Sequence, residues 1–337
     1  MMCNDLHTAL RALTAHYEAD QIVVVRDQAV SFESPYACLP IAVSEASKSL
    51  ETVQQIWDFF FEKGLTRRGL VIAVGGGVLT DLAGFAAATY KRGIAYINIP
   101  TTLLAMTDAS SGGKTGFNYR GLKNSIGVFA PPVETLIWPG WLATLPAREL
   151  LSGMGELIKT ALLDKALWTA LMQYDFDAMP TEALTPLIAQ CVAVKTRIVE
   201  ADPKEEGLRK ALNLGHTVGH ALEEISMANA HPGVKPLDHG YAVFYGLIAE
   251  LYLSVILLGC PKEPLQQLTQ LMLHLYGKPQ CRCSERERLI ALMQQDKKNE
   301  RTAQINCTLL RSVGEPVINQ VITPEQAAEA LEYLFNL

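Results

Sequence analysis

A short, wholly apolar run, Leu70 to Val74, feeds a glycine triplet, Gly75-Gly76-Gly77, and a helical segment follows from Leu79 to Thr89. No other stretch constrains the fold as much. A brief aliphatic run without alternation suits a strand covered on both faces, the condition of a parallel sheet flanked by helices. Glycines at its exit let backbone approach a ligand, and a helix N-terminus there favours an anion. Ile22–Val25, Ile94–Ile99 and Thr135–Trp138 read as further strands, and Ser49–Lys63 as a helix with an apolar stripe at Val53, Ile56, Trp57 and Phe60. Strand, glycine turn, helix and strand in that order predict a Rossmann-like parallel α/β layer.

The texture changes after about Leu150. Helical periodicity marks Leu150–Leu163, Ala183–Glu200, His216–Ile225, Ala242–Leu258, Leu265–Leu275, Glu285–Gln294 and Pro324–Phe335, and Ile305–Leu310 is the one β-rich run. The expected organisation is an α/β domain over 1–150 and an all-α domain over 151–337. Gly240–Gly259 is long and apolar enough to suggest a membrane span, but Glu250 sits in its middle, which favours a helix buried in a protein core. The N-terminal residues contain acids and no apolar core, so they do not read as a signal peptide. A net charge of −6 with no basic patch argues against a nucleic-acid partner. Seven cysteines, an odd number without a framework of spacings, read as reduced thiols of a cytoplasmic protein.

The glycine turn lacks the G-x-G-x-x-G spacing of the common dinucleotide fingerprint, and alone it is more often a tight turn than a cofactor loop. Asp81 at the start of the next helix strengthens it. So does the polar run Pro100 to Asn124, which holds Thr101, Thr102, Asp108, Lys114, Lys123 and Asn124. Ser-Gly-Gly-Lys-Thr inside that run is not a P-loop, because Asp108 stands where the Walker pattern needs its first glycine. Each lysine alone reads as a solvated surface residue. Together with Arg92 they suggest an anionic ligand.

In the second half, Glu156 and Lys159 are i,i+3 neighbours, which reads either as an exposed salt bridge or as a metal carboxylate with a lysine beside it. Lys195 and Glu205 follow. Arg209, Asn213, His216 and His220 then fall at steps of four, three and four, one stripe if the segment is helical. His239 precedes the long apolar helix. One carboxylate and two histidines make a common catalytic zinc set. His216, His220 and His239 are three candidates for two places. Spacing alone favours the first two, but no glutamate follows His216, so the H-E-x-x-H pattern is absent.

Many stretches together resemble the 3-dehydroquinate synthase family of sugar-phosphate cyclases: GGGVLTDLAGFAAATYKRG, IPTTLLAMTDASSGGKTGFN, LKNSIGVF, TLPAREL, GELIKTAL, NLGHTVGHALEE, DHGYAV and DKKN, in order, from about Val25 to Leu310. The resemblance implies a dehydroquinate synthase-like fold, NAD oxidised and restored within one turnover, and a divalent metal, zinc or cobalt. The implied substrate is 3-deoxy-D-arabino-heptulosonate 7-phosphate, the products 3-dehydroquinate and phosphate, and the assembly a homodimer. It assigns the cofactor to Asp27, Glu45, Lys48, Gly76, Gly77, Asp81, Thr101, Thr102, Asp108, Lys123, Thr144 and Leu145. It assigns the substrate to Arg92, Asp108, Lys114, Lys123, Asn124, Lys159, Lys195, Arg209, Asn213, His220 and one of Lys297 and Lys298. Metal ligands would be Glu156, His216 and His239, with Glu205 supporting a neighbouring cation. The chain departs from the pattern in three places. Tyr241 replaces the usual Glu, the glycine-rich lead-in before Glu45 and Lys48 is missing, and RGLKN carries its glycine one residue early. Alternative activities are a cyclase acting on sedoheptulose 7-phosphate or an amino analogue, and a metal-dependent polyol dehydrogenase.

Overall fold

The computed structural model describes residues 1–231, 235–279, 285–295 and 304–337. The chain divides into two compact units, Met1–Leu150 with Pro180–Thr196, and Leu151–Met179 with Arg197–Leu337. The segment Pro180–Thr196, expected in the second domain, belongs to the first unit.

The first unit opens with helix α1 (Leu6–Thr14), capped by Asp5, whose carboxylate accepts from the His7 and Thr8 amides. There follow β1 (Ile22–Asp27), β2 (Ala37–Ile41), α2 (Leu50–Glu62), β3 (Leu70–Gly75), α3 (Gly77–Thr89), β4 (Ala95–Pro100), β5 (Lys114–Tyr119), β6 (Leu122–Phe129) and β7 (Glu134–Thr135). Five strands form a sheet of order β2-β1-β3-β4-β7, every neighbouring pair parallel. Strand alternation sorts the core. Val23, Val25, Val71 and Ala73 pack with Val53, Ile56, Phe60, Leu79 and Leu82 of α2 and α3. Ile22, Val24, Leu70, Ile72, Val74, Ile97 and Ile99 pack on the other face with Leu6 and Leu10 of α1. β3 is buried at all six residues, as its unbroken apolar run requires.

Two regions differ from the expectation. The polar run after Pro100 holds a π-helical turn, Ala105–Ala109, and an antiparallel hairpin, β5 with β6, closed by a two-residue turn at Arg120-Gly121 where both residues have positive φ. Its strands are rich in glycine and polar residues, so alternation does not reveal them. The strand expected at Thr135–Trp138 is only Glu134–Thr135 beside β4, followed by a parallel bridge from Ile137 to Met2.

The second unit is built from α4 (Ala147–Leu162), which begins in the first unit, α5 (Lys165–Leu171), the end of α6 (Leu184–Ala201), α7 (His216–Ala228), α8 (His239–Leu258), α9 (Glu263–Leu271), α10 (Arg286–Gln295), β8 (Ile305–Ser312), β9 (Glu315–Ile322) and α11 (Pro324–Asn336). It is helical but not all-α, because Ile305–Leu310 pairs with β9 in an antiparallel hairpin. α8 is the apolar segment that could be read as a membrane span. It packs against α7, α9, α11 and β8, and 67% of its most apolar window is buried.

Ile72 is fully buried at the centre of the parallel sheet. Ile72→Ala is expected to lower unfolding stability by about 3 kcal/mol through lost burial and a residual cavity, measured by urea denaturation.

Candidate functional site

In the first unit the sheet order reverses between β1 and β3, since β2 lies to one side of β1 and β3, β4 and β7 to the other. The carboxyl edge at such a reversal is where open α/β sheets bind ligands. Asp27 ends β1, the glycine turn ends β3, and Thr101 and Thr102 follow β4, so all stand at that edge. α3 starts there with Gly76 as N-cap and no side-chain cap. Lys48 Nζ lies 2.6 Å from the Asp81 carboxylate; burial raises the Asp81 carboxyl above its usual range, and the Lys48 charge only partly opposes this.

The hairpin adds further groups. Asn118 donates its amide to Lys48 and its carboxamide to Glu45 at 2.7 Å, and it accepts from the Asn124 amide. Lys123 lies 3.8 Å from Glu45. Glu45, Lys48, Asp81, Lys123 and Asn124 are thereby tied to one another, with Asn118, which the motifs did not single out, as their connector. Lys195, buried on α6, donates to the carbonyl and carboxylate of Asp108 at 2.6 and 2.7 Å. Lys114 is exposed at the start of β5. Thr144 and Leu145 lie at the end of a 3-10 turn, Pro139–Thr144. Arg92 is set apart. It is exposed and precedes β4, at the amino edge of the sheet, roughly 17 Å of strand away from the glycine turn.

The second unit gathers the residues expected to bind metal. Glu156 lies on α4, His216 opens α7 and His239 opens α8. One donor atom from each lies within 4.8 Å of the other two. Glycine makes this convergence possible. A Cβ on Gly155 would lie 2.1 Å from the Gly240 carbonyl oxygen, and one on Gly240 would lie 1.7 Å from that of Ser152. α4 and α8 therefore touch backbone to backbone one residue away from Glu156 and His239.

Each imidazole turns Nε2 toward Glu156 Oε1, at 3.1 Å for His239 and 3.5 Å for His216. Each Nδ1 faces a fixed oxygen, Glu223 Oε2 at 3.3 Å from His239 and the Leu214 carbonyl at 3.1 Å from His216. Both rings are thus oriented with Nε2 available to an ion. Glu156 Oε2 is buried, with an ion pair to Lys159 Nζ at 2.6 Å but no partner in hydrogen-bond geometry. A carboxylate and two imidazole nitrogens around one point fit a divalent metal of the zinc type. Lys159 and Glu156 are both buried, so theirs is not the exposed salt bridge that i,i+3 spacing suggests.

Burial alone would raise the Glu156 carboxyl, but the Lys159 charge and the two imidazoles hold it well below the usual carboxylate range. His239 moves the other way. Burial would lower it, but hydrogen bonds to Glu156 and Glu223 push it up to about 10. In the metal-free protein this pairing is fully stabilising below the ordinary histidine range near 6.5 and is lost as pH rises through about 10.

Arg209 and Asn213 do not continue the α7 stripe. They lie on a 3-10 turn, Leu208–Asn213, and Gly215 in the left-handed region separates that turn from α7. Arg209 is buried; its guanidinium donates to the Pro203 carbonyl, and its amide donates to Asp202, which also accepts from Gly207. Glu205 accepts from the Asn213 carboxamide at 2.9 Å. His220 stacks edge-on to His216 with centroids 5.2 Å apart but is outside the converging donor set. Lys297 and Lys298 lie outside the described residues.

His216→Ala and His239→Ala are each expected to abolish tight zinc binding, and His220→Ala to leave it, as read by metal analysis and chelator competition. Equal loss in His220→Ala would overturn the ligand set. Because His239 is protonated at pH 8, ion binding there should release about one proton, measured by calorimetry in buffers of different ionisation enthalpy.

Residues 38–152 match the family description "3-dehydroquinate synthase N-terminal" and residues 153–299 match "3-dehydroquinate synthase C-terminal". The chain is 41% identical to a 3-dehydroquinate synthase of Parabacteroides distasonis, covering 99% of this chain and 96% of that one. Among solved structures it is similar to a 2-epi-5-epi-valiolone synthase from Streptomyces hygroscopicus with NAD+ and Zn2+ bound, at 28% identity and a TM-score of 0.83, covering 99% of this chain and 95% of that one. A 2-deoxy-scyllo-inosose synthase complexed with carbaglucose-6-phosphate, NAD+ and Co2+ shares the fold at 23% identity and a TM-score of 0.81, covering 96% and 94%. The chain belongs to the 3-dehydroquinate synthase family.

Proposed function

We propose that this enzyme converts 3-deoxy-D-arabino-heptulosonate 7-phosphate to 3-dehydroquinate and phosphate, a phosphate-eliminating cyclisation, using NAD and a divalent metal. The observation that carries the reading is the cluster of buried Glu156 with half-buried His216 and His239, and Lys159 against its carboxylate. NAD, when bound, takes up and returns a hydride, and the ion lowers the pKa of a bound alcohol.

The residues of the chain supply the rest. The carboxyl edge of the sheet, with Asp27, Gly76, Gly77, Asp81, Thr101, Thr102 and Lys48, offers backbone amides and short polar side chains suited to a dinucleotide. Glu45, Asp108, Lys123, Thr144 and Leu145 complete the proposed cofactor set. Lys159 and Arg209 are buried cations held by hydrogen bonds or ion pairs, a pre-organised means of fixing the phosphate and carboxylate of a flexible substrate. Lys195, Lys114, Asn124, Asn213 and His220 belong to the same proposed substrate set, with Glu205 orienting Asn213. Proton transfer from the carbon next to the new ketone is assigned to the leaving phosphate itself, so few dedicated bases are required. Arg92, on the far edge of its own sheet, would reach such a substrate from a second copy of the chain, in keeping with a homodimer. A cytoplasmic location completes the reading.

Incubation with the heptulosonate phosphate, NAD and zinc should release phosphate and form the ring product in equal amounts with no net NADH. Turnover of sedoheptulose 7-phosphate in its place would assign the chain to a different cyclase, and stoichiometric NADH would make it a dehydrogenase. Lys159→Ala should lower kcat by about 100-fold or more, the cost of removing one aligned charge from a buried site.

A further inference from the structure

Two helices of the second unit each begin with a proposed metal ligand, α7 with His216 and α8 with His239. Each also carries a buried carboxylate, Glu223 on α7 and Glu250 on α8. Glu250 is fully buried in an otherwise apolar helix, a costly place for a charge unless its oxygens are satisfied.

α7 has no cap of its own. Its N-cap is Gly215, at φ +79, where a Cβ would lie 2.8 Å from the Leu247 side chain and 2.9 Å from the Val243 carbonyl oxygen. The close passage of α8 thus requires glycine at the position that usually carries a capping oxygen. Glu250 supplies that oxygen from α8. Its Oε2 accepts from the Gly215 amide at 2.6 Å, and its Oε1 accepts from Thr217 at 3.1 Å and Val218 at 3.4 Å.

The Gly215 amide belongs to the same peptide unit as the Leu214 carbonyl, which is the partner of His216 Nδ1. A hydrogen-bonded chain therefore runs from the Glu250 carboxylate through one peptide group to the imidazole of His216. On the other side, Glu223 of α7 faces His239 Nδ1 directly. We propose that Glu223 and Glu250 form a reciprocal lock, in which each helix supplies the carboxylate that orients the ligand at the start of the other. Both are positioning residues. Glu223 holds the His239 ring with Nδ1 protonated and Nε2 outward. Glu250 holds the 214–215 peptide so that its carbonyl does the same for His216. A carboxylate behind a metal-binding histidine fixes its tautomer and raises its basicity, and a polarised peptide transmits part of that effect.

The inference rests on the metal reading above, so wild-type zinc titration comes first. If the wild-type protein binds no zinc, the metal reading fails. If the wild type binds and the variants bind equally, the lock alone fails. Glu223→Gln and Glu250→Gln keep the size of each side chain while removing its charge. Each should weaken zinc binding by about 10-fold or more in chelator competition, the range found when such outer partners are removed. In the zinc-loaded proteins, imidazole nitrogen NMR should show the Nδ1 proton signal of His239 altered in the first variant and that of His216 in the second. Folded variants with zinc affinity within about twofold of wild type and unchanged Nδ1 signals would overturn the proposal. Should Glu250→Gln fail to fold, Glu223→Gln with Glu223→Asp decides it: affinity lost in the first and partly rescued in the second supports the lock, and affinity retained in the first overturns it.

Discussion

The ionised, buried carboxylate of Glu156 is the constraint around which the second unit is arranged. A charge of that kind is stable only where cationic partners and hydrogen-bond donors surround it. Lys159, one turn along the same helix, is one such partner, and the Nε2 atoms of His216 and His239 face the other oxygen. No single helix can place three donors about one point with these orientations, so the donors come from α4, α7 and α8. The packing of those helices must then be unusually close. Gly155 against Gly240, and Gly215 beside α8, are where backbone contact replaces side-chain contact. The glycines of the histidine motifs are therefore helix-packing residues that set the spacing of the chemistry.

The first unit solves a different problem by the same economy. A parallel sheet collects the ends of β1, β3 and β4 at one edge, and the reversal of strand order opens that edge beside the glycine turn. The hairpin β5–β6 then ties Glu45, Lys48, Lys123 and Asn124 together through Asn118. Glu45 and Lys48 lack the glycine-rich lead-in of the family pattern and are held by these contacts. Tyr241, standing where the family usually has Glu, turns to an aromatic cluster, edge-on to Tyr276 with centroids 4.9 Å apart. Glu223 faces His239 in this chain.

Strands buried on both faces were legible because an unbroken apolar run has few other uses, and β1, β3 and β4 lie within a residue or two of their expected bounds. The helices with clear amphipathic or apolar stripes were legible too. The β5–β6 hairpin was hidden because its residues Lys114, Gly116, Asn118, Lys123 and Asn124 are polar or small, and alternation is lost where such residues fall on both faces of a strand. β9 was hidden for a related reason, its exposed face leaving Glu315, Asn319 and Gln320 among its valines. The Arg209–His220 stripe misled because step counting assumes one continuous helix, and Gly215 at positive φ ends that continuity.

By itself the sequence singled out the candidate residues for chemistry, where the main elements run and where the texture changes. These are local properties, written in apolar period, glycine placement and the clustering of rare histidines. Only the tertiary structure decided how Glu156, His216 and His239 come within 4.8 Å of one another, that Arg92 lies at the opposite sheet edge from the glycine turn, and that Glu250 caps a helix 32 to 35 residues away in the chain. The physical reason is the same in each case. A donor's role depends on the direction and distance of its partner, and those follow from how helices and strands pack, which spacing along one chain does not encode.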